Sequence, residues 1–103
     1  MAKARGIRLI RRVKIGGQCY SVKVKKDLVD EKGEECLGLI DFTDTTIYLN
    51  SGQSEESLHK TLWHEIMHAI CKTVGVRETE RIIDGLADMM RQVLRDNKRL
   101  RDL

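Results

Sequence analysis

The sequence predicts an α+β domain in which a small antiparallel sheet of three to four strands is followed by two helices. Apolar residues alternate with polar ones in the first half of the chain, and from about residue 54 they recur at helical spacing. No proline and no Gly/Ser-rich linker divides the 103 residues. Strands followed by helices indicate that the helices pack on one sheet face. We therefore expect one domain over residues 1–103.

The first two strands are expected over about 8–15 and 18–26, joined by a turn at Gly16-Gly17. Val13 and Ile15 alternate with charged residues, and the second strand alternates in the same way. One sheet face should therefore be apolar, and the opposite face should present Arg12, Lys14, Lys23 and Lys25. Two further strands are expected at 36–42 and 45–50.

Two helices are expected in the second half. Ser54 is a suitable N-cap for the first, and Gly75 is a suitable C-cap. The second helix should begin near Glu78 and fray past Asp96. Its apolar residues recur at helical spacing, from Ile82 to Leu94.

Composition and charge limit the class of protein. With 41% hydrophobic and 34% charged residues, the chain is typical of a soluble globular protein. No apolar run approaches the roughly 20 residues of a membrane span, and the basic N-terminus lacks the apolar centre of a signal peptide. Cys19, Cys36 and Cys71 form no CxxC pair, so reduced thiols are expected. These features predict a cytoplasmic protein without a membrane partner.

The segment TLWHEIMHAI, residues 61–70, contains the pattern HExxH. His64 and His68 are four residues apart, so on a helix both rings lie on one face and can share a cation. Zinc accepts imidazole nitrogens, and a catalytic zinc keeps one position for water. Glu65 projects beside that position and can act as general base. Histidines paired with acids on a helix flank are the non-functional alternative.

A catalytic zinc needs a third protein ligand. No histidine follows His68, and Cys71 on the same helix would strain a tetrahedral site. The second helix offers three carboxylates at intervals of four residues, which form one face: Glu80, Asp84 and Asp88. The spacing alone leaves open which of them reaches the metal.

HEIMHAI followed by DGLADMMRQVLRDN resembles the small zinc metallopeptidases of the ImmA/IrrE type, gluzincin-like zincins of which many are encoded by phages and mobile elements. The resemblance covers about residues 38–97 and implies a minimal zincin-like fold for the single domain, residues 1–103. It implies an acidic third ligand on the second helix and, one turn later, an Asp or Asn that supports the first histidine. By position these are Asp84 and Asp88. The usual ligand is glutamate, whereas residue 84 is aspartate, so Glu80 is the alternative third ligand.

The resemblance implies a zinc metalloendopeptidase. A zinc-bound water, with Glu65 as general base, would hydrolyse peptide bonds of a protein or peptide substrate such as a regulatory protein. An edge strand, here TTIYLN at 45–50, would hold extended peptide by main-chain pairing. The alternative function is a non-catalytic, metal-stabilised module that binds nucleic acid or an acidic protein through Arg12, Lys14, Lys23 and Lys25. An aromatic content of 4% does not favour single-strand binding by stacking.

Overall fold

The computed structural model describes residues 10–103 and contains, within that range, a four-stranded sheet and two α-helices. The strands are β1 (Arg12–Ile15), β2 (Gln18–Lys25), β3 (Gly38–Asp41) and β4 (Thr46–Asn50). The helices are α1 (Glu55–Val74) and α2 (Glu80–Asp96), followed by a short 3-10 helix at Lys98–Asp102. The predicted α+β class is confirmed. The part of the first predicted strand that precedes residue 10 lies outside the described residues.

The sheet is mixed, which corrects the expectation of a wholly antiparallel one. The strand order is β1-β2-β4-β3, and β2 pairs with β4 in parallel while the other two pairings are antiparallel. The polar connection after β2 carries the chain past the position of β4 to the sheet edge. The chain then turns at Asp41, whose carboxylate accepts hydrogen bonds from the N–H groups of Thr43 and Asp44. As a result β4 lies inside the sheet and β3 at its edge.

The first helix, α1, packs on the inner face of the sheet, where the core forms, and α2 packs against α1. The core side chains are Ile15, Tyr20, Ile47, Leu49, Leu58, Leu62, Ile66 and Ala69. The outer sheet face is solvent-exposed and carries Arg12, Lys14, Lys23 and Lys25, as predicted. Tyr48 alternates with the fully buried Ile47 and Leu49, and its ring contacts Lys25, whose Nζ is 5.9 Å from the ring centroid.

The ends of the helices follow their capping residues. Ser54 accepts a hydrogen bond from the N–H of Ser57, and Gly75 ends α1 in the left-handed conformation, with φ of 79°. The second helix begins at Glu80, two residues later than expected, because Thr79 caps it by accepting from the N–H of Ile82. No helix in the described part of the chain is long and apolar enough to cross a membrane.

A second apolar cluster joins the two helices. Met67 and Cys71 of α1 pack against Ile83 and Ala87 of α2, and all four are buried. Trp63 is partly buried and packs against both clusters. This packing sets the start of α2 beside the histidines of α1.

Candidate metal centre

The rings of His64 and His68 lie side by side on α1 with their centroids 4.9 Å apart. Glu80, the first residue of α2, reaches both rings. Its Oε1 atom is 3.0 Å from Nε2 of His64, and its Oε2 atom is 3.3 Å from Nε2 of His68. One ligand atom from each of the three residues lies within 4.8 Å of the others. The two helices therefore bring two imidazoles and one carboxylate to a single point.

The other nitrogen of each ring faces a different carboxylate. Nδ1 of His64 is 2.7 Å from Oδ1 of Asp84, and Nδ1 of His68 is 3.5 Å from Oε1 of Glu78. A ring whose Nδ1–H donates to a carboxylate keeps a lone pair on Nε2. In both rings, therefore, Nε2 faces Glu80, and Nδ1 faces a second carboxylate, Asp84 or Glu78.

The carboxylates of α2 do not occupy the positions that the family resemblance assigned to them. Asp84, the predicted third ligand, contacts the outer nitrogen of His64 and is not part of the His64–His68–Glu80 group. Glu80, the alternative, is the carboxylate in that group. Asp88, the predicted supporting residue, lines the adjacent cleft but makes no ion pair with either histidine within residues 10–103. Glu80, in the first turn of α2, lies between the two histidines, and Asp84, one turn later, contacts only the outer nitrogen of His64.

The three residues fit a divalent metal ion. Two imidazole nitrogens and one glutamate oxygen are a known set of protein ligands for catalytic zinc. Ligand atoms that lie about 2.0–2.1 Å from a tetrahedral ion are about 3.3 Å apart. The nitrogen–oxygen separations of 3.0 and 3.3 Å involve different oxygens of Glu80, and with one ligand atom taken from each residue the three atoms lie within 4.8 Å of one another. Other first-row ions accept the same donors, so the three residues could hold a metal ion without specifying which one.

Glu65 follows the first histidine and is almost fully buried, with 5% of its surface exposed. Burial raises its pKa to about 7, the charge of His68 acts in the opposite direction, and the charge of Glu80 raises the pKa further. Its Oε2 atom lies near the start of β3, at the wall of a cleft. Glu65 therefore lies beside the metal-binding group and outside it.

The cleft beside this group has a volume of about 730 Å³ and lies between α1, α2 and the start of β3. Gly38 allows the close approach of β3 to α1. A Cβ atom at this position would lie 2.4 Å from Cγ2 of Thr61 and 3.4 Å from Oε2 of Glu65. A larger residue at this position would push β3 away from α1. Because β3 forms one wall of the cleft, the shape of the cleft would change too.

The edge strand beside α1 is β3, which corrects the expectation that TTIYLN would form the edge. Leu37 accepts a hydrogen bond from the N–H of Asn50 in the neighbouring chain segment. Hydrogen-bonding residues alternate along an antiparallel pair, so Gly38 and Ile40 direct their N–H and C=O groups to the other side. Within residues 10–103 no strand pairs with β3 on that side. The open edge thus begins at the cleft.

Gln53 connects the cleft wall to α1, which the sequence reasoning did not identify. Its Nε2 atom donates to the C=O groups of Leu37 and Asn50, both at 2.9 Å. Its Oε1 atom accepts from Oγ1 of Thr61 at 3.0 Å. A glutamine just before an N-cap carries no spacing signal, because its partners lie 16 residues upstream and 8 residues downstream.

A comparison with protein-family models found no match to this chain, and comparisons with curated proteins and with solved structures found none either. The resemblance to the ImmA/IrrE type therefore stays a prediction from the sequence motif.

Proposed function

We propose that this protein is a metal-dependent peptidase in which His64, His68 and Glu80 hold a divalent ion, zinc being the ion that best suits these donors. The observation that carries the proposal is that Glu80 faces Nε2 of both histidines at 3.0 and 3.3 Å. When bound, such an ion polarises a carbonyl and makes water more acidic. The glutamate is also the ligand that the family resemblance implies, one turn before the predicted Asp84.

Asp84 and Glu78 orient the two imidazoles. An Nδ1–H donated from His64 to Asp84 fixes the ring tautomer and its rotation, which leaves Nε2 free for the ion. Glu78 stands in the same relation to His68, at a longer distance of 3.5 Å. In this proposal Asp84 has the supporting role that the positional match gave to Asp88.

Glu65 moves the proton in the proposed reaction. Its carboxylate lies at the cleft wall, next to the histidines and away from their shared face. From this position it takes a proton from the attacking water and returns it to the amine that leaves. The substrate is an extended peptide, and Gly38 and Ile40 pair with its main chain along the open edge of β3. The substrate class is therefore unfolded or flexible protein segments.

The first test is metal binding, measured by elemental analysis and by competition with a chelator. We expect about one zinc per chain, and we expect Glu80→Gln to weaken binding at least a hundredfold. Glu55→Gln is the matched control, because Glu55 is also an exposed glutamate at the first position of a helix. Equal binding by the two variants would overturn Glu80 as a ligand.

The second test is cleavage of a pool of peptides from a digested proteome, followed by mass spectrometry. We expect new termini with the zinc-loaded protein and none with Glu65→Gln, which should still bind zinc. Cleavage by Glu65→Gln at the wild-type rate would overturn the assignment of the base. If the wild type binds zinc but cleaves no peptide, the peptidase assignment is overturned and the protein is a metal-stabilised binding module.

A second candidate function is binding of nucleic acid through the outer sheet face, defined by Arg12, Lys14, Lys23 and Lys25. The observation that favours it is that none of the four forms an ion pair within residues 10–103 and no helix covers that face. Adjacent same-face positions on a strand are about 6.6 Å apart, so the cations form a row suited to a phosphate backbone. We propose that this face binds the phosphate backbone of a nucleic acid without sequence preference.

The test is the anisotropy of a labelled oligonucleotide at low and at physiological salt. We expect Lys14→Glu with Lys23→Glu to abolish binding, and Lys60→Glu on α1 to leave it unchanged. Affinity should fall steeply as salt rises. Displacement by polyglutamate at an equal charge concentration would instead indicate an acidic protein partner.

A further inference from the structure

The outer face of α2 carries a stripe of apolar side chains that the described residues leave uncovered. Ile82, Leu86 and Met89 are 50%, 47% and 57% exposed, and Val93 continues the row half-buried. Their spacing of four, three and four residues is that of the apolar seam between two paired helices. A surface helix that packs only on its own domain needs no second seam. The spacing therefore indicates that another helix covers this stripe.

The stripe faces away from the candidate metal centre. Ile83 and Ala87 hold the opposite side of α2 against α1, at 0% and 2% exposure. Glu80 and Asp84 turn to the histidines from that inner side. A helix on the outer stripe would leave the cleft and the open edge of β3 accessible.

We propose that the stripe pairs with the same stripe of a second copy of this chain, with the two α2 helices antiparallel. With the two-fold axis at the middle of the stripe, Ile82 lies opposite the partner's Val93, and Leu86 lies opposite the partner's Met89. The same contacts occur twice by symmetry, as a closed two-fold dimer requires.

The charges beside the stripe favour a second copy of the chain as the partner, in the antiparallel orientation. Arg81 and Asp96 lie on one flank of the stripe, at opposite ends of the 17-residue helix. Arg81 makes no ion pair within residues 10–103, whereas Asp96 pairs at its exposed surface with Arg95 and Gln92 of its own helix. Antiparallel packing sets Arg81 beside the partner's Asp96 at both ends, whereas parallel packing sets like charges at the same end. Antiparallel helix dipoles also attract.

The pairing surface is small. A 17-residue helix is about 25 Å long. A stable interface buries about 800 Å² on each partner, more than one such stripe provides. We therefore expect a reversible dimer with a dissociation constant on the order of 10 µM.

Analytical ultracentrifugation of the full chain from about 1 to about 300 µM tests the proposal. We expect a monomer–dimer equilibrium that Leu86→Glu abolishes. Val29→Glu is the matched control, because Val29 is likewise 50% exposed and lies outside α2. A monomer at every concentration would overturn the proposal, and so would a dimer that survives Leu86→Glu.

A charge exchange tests the orientation without removing apolar surface. Arg81→Glu and Asp96→Arg should each weaken the dimer about tenfold, and the double variant should restore it. Circular dichroism confirms that each variant is folded. Failure of the double variant to recover would overturn the antiparallel pairing of two copies.

Discussion

The Nδ1 atom of His64 lies 2.7 Å from Oδ1 of Asp84, the shortest of the four histidine–carboxylate contacts at the site. Such a contact holds a ligating ring in the tautomer that a metal needs. We expect Asp84→Asn to lower zinc affinity by about 10- to 100-fold, measured by chelator competition. Asp88→Asn is the control, because Asp88 lines the same cleft one turn later without contacting a histidine. If the two variants lose zinc affinity equally, the loss comes from the change in net charge and not from the contact with His64.

Glu65→Gln should change the pH dependence of stability in the metal-free protein. The folded pKa of Glu65, about 7, is above its ordinary value of 4.5. The folded state thus holds the proton more tightly, so stability is lost as pH rises from 4.5 to 7. The loss is on the order of 3 kcal/mol above pH 7.

Glutamine resembles the protonated acid, so the variant should match the wild type near pH 4.5 and exceed it at pH 8. Urea unfolding of both proteins in EDTA measures the difference. A difference that does not vary with pH would show that burial does not perturb this carboxyl.

Gly38→Ala should destabilise the protein by about 1–3 kcal/mol, because the added Cβ would overlap the methyl group of Thr61. Thermal or urea unfolding measures the change. Thr61→Ser removes that methyl group, keeps the hydroxyl that donates to Gln53, and should restore part of the loss. Gly17→Ala is the control, since no atom lies within 4 Å of a Cβ there.

Thr79→Ala should weaken both stability and metal binding. The Thr79 side chain caps α2 at the residue before Glu80, and loss of such a cap costs about 1 kcal/mol. A frayed first turn would no longer hold Glu80 between the histidines. Ser54→Ala removes the equivalent cap of α1 far from Glu80, and we expect it to lower stability alone. Unfolding curves and zinc competition on both variants separate the two effects.

Many features of the fold and the candidate site can be predicted from the sequence, because they depend on residues close together in the chain. The caps Ser54 and Gly75, the single helical turn between His64 and His68, and the alternation of Val13 with Lys14 each depend on near neighbours. Those predictions are confirmed where the structure describes them. The family resemblance, in which glutamate is the usual ligand, gave Glu80 as the alternative to the positional match Asp84.

The remaining features depend on contacts between distant segments. The pairing of β2 with β4 and the edge position of β3 follow from a crossover that alternation cannot encode, since either order buries the same face. The crossing point of α2 over α1 depends on where Thr79 starts the helix and on how Ile83 meets Met67. A shift of one turn there exchanges the positions of Glu80 and Asp84.

The short connection between α1 and α2 has a consequence for folding order. His64 and Glu80 are only 16 residues apart, so an ion bound between them closes a small loop within one helical hairpin. Closing a loop of this length costs little chain entropy, whereas the parallel β2–β4 pairing must close a longer one. If the proposed ion binds, the hairpin would close before the sheet assembles, and α1 would then be the surface against which the strands pack.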